Sequence, residues 1–260
     1  MITQHAISRM RSPRQQGGFT LVELMVTVGI ALFLLGGLVT IVQNVRETSL
    51  NQQRLAQLQD QQRFAWTLIT DAVQAGGYFS DPINYTTATF TAAGNPAPTA
   101  AFQAGYVFAG SHATGVADNV AQDSLATRFQ TNQSYGPILC DGTDTSLNPP
   151  GPNTYSIQFT VSGGATSQLM CSVNGAAALP LVDGVQAMAV YYGVKRNATA
   201  DYNVDTYVTW DQMQGNDYFT ISSVRVVLTF INPLAGQAGQ PATITMERVI
   251  EVMSRAGMHT

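Results

Sequence analysis

The sequence predicts an α+β protein with one long N-terminal helix and a β-rich head, and three observations lead to this class. An apolar run occupies residues 19–42, close to the N-terminus. A proline-free stretch rich in glutamine, leucine and alanine follows it. Beyond that stretch, short alternating segments are separated by Gly, Pro and Asn, which is typical of antiparallel strands. We therefore expect a basic leader at 1–18, a helix at 19–75 and a head domain at 76–260.

Residues 19–42 are apolar enough to cross a membrane. The run has 24 residues and a single charge, Glu23, and a helix rising about 1.5 Å per residue would span a bilayer core of about 30 Å. Arg9, Arg11 and Arg14 precede the run, so the positive-inside rule predicts a cytoplasmic N-terminus and an extracytoplasmic head. A secretory signal peptide would have a shorter apolar run, about 7–15 residues, ended by a small-residue cleavage site. The sequence has neither feature.

Glu23 is unusual for a plain membrane anchor. Insertion scales place an acid at the centre of a membrane helix near +2.5 to +3.5 kcal/mol, with a lower value near the helix start, and such residues usually have a partner. Cleavage between Gly18 and Phe19 would create an α-amino group four residues before Glu23. Within one helix that spacing allows the two groups to pair. Between neighbouring helices the same pairing would also fix an axial stagger.

The junction GGFTLVELMV, residues 17–26, resembles the processing motif of type IV prepilins and type II secretion pseudopilins. The resemblance implies a type IV pilin-like fold, cleavage after Gly18 by a membrane prepilin peptidase, and N-methylation of Phe19. It also implies that Glu23 pairs with the amine of a neighbouring subunit during assembly. Many major pilins have a proline that kinks this helix, whereas this segment has none.

The second half of the helix has an apolar stripe. Residues at steps of three and four form one helical face, and they are Leu55, Leu58, Gln62, Ala65, Ile69 and Ala72. Gly76 and Gly77 are expected to end the helix, which gives it a length of about 85 Å. Because the pattern is short and Gln62 interrupts it, we expect the stripe to pack beneath the head rather than form a free coiled coil.

The head is expected to contain a meander of strands. Alternation and β-branched residues predict strands at 154–161, 184–194, 220–231 and 242–253, with a shorter one at 124–129. Most of the region 80–150 is rich in Gly, Ala, Thr, Asn and Pro and is expected to form loops. One face of the antiparallel sheet should cover the stripe on the helix.

Segments of the head resemble the PilW family of type IV pilus minor pilins, which are related to the J-type pseudopilin of type II secretion. These segments are 167–171, 181–188, 192–193 and 224–228, together with the helix exit at 71–79. The resemblance implies a minor pilin that primes pilus assembly in a tip-associated complex, with links to twitching motility and cell adhesion. The implied partners are other minor pilins, the major pilin, prepilin peptidase and, as an option left open, a large tip adhesin. The implied location is the inner membrane before assembly and the pilus afterwards.

Two cysteines, Cys140 and Cys171, lie in the predicted head. In an oxidising periplasm a disulfide between them is favoured, and closing a loop of about 30 residues should stabilise the fold by roughly 3–4 kcal/mol. Two buried free thiols are the alternative. A zinc site is not expected, because neither cysteine has a second cysteine or histidine close by in the sequence.

Charge and motif content argue against other classes of protein. The net charge is −4, and the only arginine-rich segment is the leader, so binding to nucleic acid is not expected. The three histidines, His5, His112 and His259, are not part of a nucleophile or metal motif. No P-loop, nucleophile elbow or dinucleotide fingerprint is present. We therefore expect no enzymatic activity, no cofactor and no metal.

Two alternatives to a minor pilin remain open, a J-type pseudopilin and a membrane-anchored binding protein or enzyme that uses the same leader. The chain also departs from the resembled family between residues 193 and 207, where relatives often have an Asp/Gly-rich loop. Here Asp201, Asn203 and Asp205 alternate like cation ligands. The Gly and Glu that would complete a calcium loop are missing, so a solvated turn is expected.

Maturation gives the first testable prediction. Gly18 should be required, because a small residue fits a peptidase site at the membrane surface. Mass spectrometry of the chain from assembled filaments should find N-methylated Phe19 at its N-terminus. An intact leader in assembled filaments would contradict the predicted processing.

Overall fold

A computed structural model of the chain describes residues 18–81, 83–84, 90–91, 102–131, 136–147, 153–163, 166–197 and 203–256. Several predicted features fall outside these residues, namely the leader up to residue 17, most of the loop at 86–100, and His5, Asp201 and His259. Two units are distinguished, Met1–Gln53 and Arg54–Thr260.

The first element is helix α1, Leu21–Ala75, which begins two residues after the predicted start at Phe19. It ends where the sequence predicts. Gly77 has a φ of 72°, and the backbone N–H of Tyr78 donates to the carbonyl of Ala75. A residue in the left-handed region just after the last turn is a common helix end, and glycine adopts it without strain.

In the first unit, α1 has an apolar and uncovered surface. All its residues from 21 to 50 are exposed, and Phe33 reaches 82% exposure. Among the described residues, α1 is the one helix long and apolar enough to cross a membrane, and its most apolar 18-residue window has a mean hydropathy of 2.5. The predicted membrane-capable segment is therefore confirmed.

In the second unit, the same helix contributes to the core of the head. Its buried residues are Leu58, Gln62, Ala65, Trp66, Ile69, Ala72 and Val73. The predicted stripe is thus confirmed, with Leu55 half-buried at its start and Trp66 and Val73 as additions. Because the apolar members pack with strand residues in one continuous cluster, this half of α1 is held by the head.

In its described residues the head contains two antiparallel sheets, where the sequence predicted one. The first sheet has five strands in chain order, β1 (Phe108–Ser111), β2 (Ser124–Thr131), β3 (Asn153–Ser162), β4 (Gln168–Val173) and β5 (Leu179–Asp183). The second has the order β7-β6-β8-β9, with β6 at Val185–Val194, β7 at Thr206–Val208, β8 at Ser223–Ile231 and β9 at Thr243–Glu251. Two short helices, α2 (Asp217–Thr220) and α3 (Met253–Ala256), flank β8 and β9, and 3-10 turns lie at Thr145–Leu147 and Trp210–Gln212.

All five predicted strands are present, and four others were missed. The expected strand at 220–231 begins only at Ser223, because Thr220 ends α2, and the one at 242–253 ends at Glu251 before α3. The assignment of 80–150 to loops is wrong over β1. Strands β1 and β7 have four and three residues, which are too few for alternation to be recognised. Strand β5 contains Pro180, and a proline in a short run argues against predicting a strand there.

A buried carboxylate joins the two sheets. Asp123, just before β2, is 1% exposed, accepts a hydrogen bond of 2.8 Å from the backbone N–H of Val190 in β6, and lies 2.9 Å from His112 Nδ1. The Asp123 N–H also donates to the carbonyl of Met188. Burial raises the pKa of Asp123, and the hydrogen bonds of its carboxylate with His112 and Val190 oppose this rise in part. A segment of the first sheet is thereby fixed to a central strand of the second.

A buried arginine binds three backbone carbonyls that lie between α1 and β1 in the sequence. Arg128 of β2 is 3% exposed, and its guanidinium donates to the carbonyls of Thr91, Gln103 and Tyr106. The Phe90 ring lies 4.5 Å from the guanidinium carbon. Desolvation lowers the pKa of Arg128 to about 10. These hydrogen bonds attach three residues that lie outside the sheets to strand β2.

The predicted disulfide is confirmed. Cys140 and Cys171 are bonded, with 6.4 Å between their Cα atoms and a sequence separation of 31. Cys171 lies in β4 and is 1% exposed. The bridge therefore ties the loop that follows β2 to the central part of the first sheet.

We predict that this bridge stabilises the head. Reduction should lower the melting temperature of the chain in detergent, because it frees a closed loop, and the expected loss is about 3–4 kcal/mol. A Cys140→Ala/Cys171→Ala variant should melt at a similarly lowered temperature and should not respond to reductant. Alkylation of both thiols in the untreated protein would contradict the bridge.

Candidate processing and assembly site

Gly18 occupies an open position just before α1. It is exposed and outside regular secondary structure, and a Cβ atom built on it would meet nothing within 4 Å. Gly18 is not one of the described glycines that have a positive φ. The fold therefore gives no steric or conformational reason for glycine at this position.

Thr20 caps the start of α1 and explains why the helix begins at Leu21. The backbone N–H of Glu23 donates to Thr20 Oγ1 over 3.3 Å, and the N–H of Leu24 donates to the Thr20 carbonyl over 3.1 Å. Threonine followed three residues later by glutamate is the pattern of a capping box. The sequence contains this signal, although the cap is not among the features predicted from it.

Glu23 lies in the first turn of α1. The unpaired N–H groups of a first helical turn and the helix dipole favour a carboxylate there. Both Glu23 and Phe19 are exposed, with Phe19 at 81%. Among the described residues, no ion pair includes Glu23. Its carboxylate is therefore accessible to a group on another molecule.

The surface around Glu23 is apolar. The large side chains of this turn and the next are 54–74% exposed, and they are Leu21, Val22, Leu24, Met25 and Val26. A continuous apolar surface of this kind is typical of a site covered by lipid or by another protein. A charge inside such a cover needs a counter-charge at the same depth.

The other candidates from the sequence lie elsewhere. His112 is engaged with Asp123, as described above. Asp205 accepts hydrogen bonds from the backbone N–H groups of Asn197 and Arg196, and the Asn197 bond is the main reason that the pKa of Asp205 is lowered. Its carboxylate thus holds its own loop. Among the described residues, no group of three His, Cys, Asp or Glu side chains could hold a metal ion.

Comparison with protein families gives two matches. The prokaryotic N-terminal methylation motif matches residues 13–39, which include Gly18, Phe19 and Glu23. With the long apolar helix and the β-rich head, this motif defines a pilin-like protein. The family described as type IV pilus-assembly protein W, PilW, matches residues 154–249, from β3 into β9. Together the findings support a type IV minor pilin of the PilW kind, a structural pilus subunit rather than a class of enzyme.

No curated protein and no solved structure gives a significant match to the chain. The support for the family therefore comes from the two matched segments and from the fold that contains them. The PilW match includes both the last strands of the first sheet and most of the second sheet. Strands β1 and β2 lie outside the matched residues.

Proposed function

We propose that this minor pilin joins other low-abundance pilins in a complex that primes pilus assembly and stays near the pilus tip. The observation that carries the proposal is the uncovered apolar half of α1 with Glu23 in its first turn. Such a helix can be inserted in the inner membrane and then transferred into a bundle of similar helices. The PilW match supports a place in pilus assembly for that bundle.

Processing would occur at the open junction before α1. Gly18 and Phe19 are exposed, so prepilin peptidase can reach the bond between them. Removal of the leader would take away Arg9, Arg11 and Arg14 and leave an amine on Phe19. Methylation of an amine keeps its positive charge. The mature chain would therefore present a cation four residues before its acid.

Pairing of the Phe19 amine with the Glu23 carboxylate would couple charge neutralisation to assembly. A carboxylate in an apolar environment is destabilised until a cation lies beside it. If the cation is the amine of an adjacent subunit, correct axial placement of the incoming helix is what neutralises both charges. Pairing within one chain would neutralise the charges but would favour no particular neighbour.

The head would determine which subunits assemble together. Before assembly the chain would span the inner membrane once, with its N-terminus in the cytoplasm and its head in the periplasm. The shared N-terminal helix would contact both the major pilin and other minor pilins. Contacts specific to the priming complex would then be made by the head.

We predict that Glu23→Val impairs assembly without impairing insertion. The segment becomes more apolar, so membrane insertion and cleavage should be retained. Removing one member of a buried ion pair costs about 3–5 kcal/mol in soluble proteins, so recruitment of partner subunits and pilus number should fall. Electron microscopy of pili and co-purification of minor pilins measure both effects.

Glu47→Val is the matched control. Glu47 is an exposed acid on the same helix, outside the apolar run, so its removal should leave piliation unchanged. Normal pilus number and normal co-purification in the Glu23→Val strain would contradict the proposed pairing. Loss of type II secretion with normal piliation, in a strain lacking the chain, would instead identify a pseudopilin.

A further inference from the structure

A groove lies between the second half of α1 and strand β9. Gln62, Arg63 and Trp66 line it on the helix, Met246 and Arg248 line it on the strand, and its volume is about 390 Å³. Trp66 is 3% exposed and forms the floor, whereas Met246 is 38% exposed at the wall. We refer to this feature as the β9 groove. It contains apolar and cationic groups but no acidic residue among those that line it.

The groove follows an open sheet edge. In the described residues β9 pairs only with β8, and it has nine residues without a proline. Among the described strands, the other three sheet edges are β1 and β7, which have only four and three residues, and β5, which contains Pro180. Long open edges are templates for an additional strand, and short or proline-bearing edges are protected against one. Strand β9 is therefore the edge suited to strand addition.

The two arginines of the groove have no acidic partner among the described residues. The guanidinium carbon of Arg248 lies 5.3 Å from the Trp66 ring centroid, and Arg63 is exposed. On the opposite face of the same sheet, Arg225 is paired with Glu247 at 2.7 Å. Nη1 of Arg248 donates a long hydrogen bond of 3.5 Å to Thr70 Oγ1. Arginine stacked on an aromatic ring can still bind a carboxylate, because the guanidinium has five N–H donors.

Strand β9 has an exposed apolar side chain on each of its faces. Successive side chains of a strand point to opposite sides, so Met246 and Arg248 face α1 while Glu247 and Val249 face away. Val249 is 53% exposed. An added strand could cover Met246 and Trp66 with one set of side chains and Val249 with the other.

We propose that β9 pairs with an extended segment of a neighbouring pilin subunit, and that an Asp or Glu of this segment binds between Arg63 and Arg248. An edge strand offers alternating N–H and C=O groups, which a polypeptide backbone complements and a lipid headgroup does not. The inference rests on the proposed function, since assembly is what brings a second pilin alongside. The partner-specific contact of the head would then consist of the β9 edge and the pairing of one carboxylate with Arg63 and Arg248.

Photo-crosslinking in piliated cells tests the site. A benzophenone amino acid replaces Val249 in the full-length chain, and the control replaces Leu179, which is 46% exposed on the edge strand β5. The Val249 position should capture another subunit that has its own N-terminal methylation motif. The yield should be at least tenfold above that of the control, and the linked peptide should contain Asp or Glu.

Charge reversal tests the carboxylate. Arg63→Glu should lower the crosslink yield at Val249 at least tenfold, and Arg248→Glu should do the same. Arg54→Glu is the matched control, because Arg54 is exposed on the same helix outside the groove. Since Arg63 is exposed, its reversal should leave the melting temperature unchanged, so a loss of crosslinking would not reflect unfolding. Exchanging the partner's acid for arginine should restore the yield with Arg63→Glu.

Other outcomes would overturn the inference. These are equal yields at Val249 and Leu179, yields insensitive to Arg63→Glu, or capture of lipid, of a second copy of this chain or of a protein without the methylation motif. A strain lacking the chain separates this inference from the proposed function. If that strain loses pili but Val249 captures no pilin, only the docking surface is wrong. If it keeps normal pili, the proposed function is wrong.

Discussion

The apolar half of α1 needs a cover that the described chain does not supply, since none of its most apolar window is buried. Lipid can provide that cover before assembly, and neighbouring helices can provide it afterwards. Glu23 makes the two environments unequal, because its charge gains a fixed counter-ion only where an amine lies at the same depth. Glu23 would thus favour transfer of the helix from lipid to a bundle of pilin helices. Apolar contacts alone would not favour one of these environments over the other.

The head depends on the other half of α1. Trp66 and Ile69 are buried in the core that the strands complete, so the helix with the membrane-capable segment also belongs to the folded domain. Asp123 joins the two sheets, and Arg128 holds three described residues that precede them, Thr91, Gln103 and Tyr106. These buried polar groups have hydrogen-bond partners, which is the condition under which burial of charge is tolerated.

The sequence predicts the features that depend on local pattern. The apolar run, the stripe through Leu58 and Ile69, the stop at Gly77 and the long strands all follow from period and composition. The packing of two sheets against each other does not, because contacts between residues far apart in sequence join them, such as that between Asp123 and Val190, 67 residues apart. The groove floor at Trp66 was missed for the same reason, since its partner Arg248 lies on the last strand. Thr20 is different, because its capping pattern is local and could have been recognised.

Zero-length crosslinking of sheared pili tests the pairing of Glu23 most directly. A hydrophobic carbodiimide joins a carboxylate to an amine only when the two are in contact. We expect mass spectrometry to find an amide between Glu23 of this chain and the N-terminal residue of a different subunit. Linkage of Glu23 only to Phe19 of its own chain, or no linkage at Glu23 in pili that contain the chain, would contradict the proposed assembly mechanism.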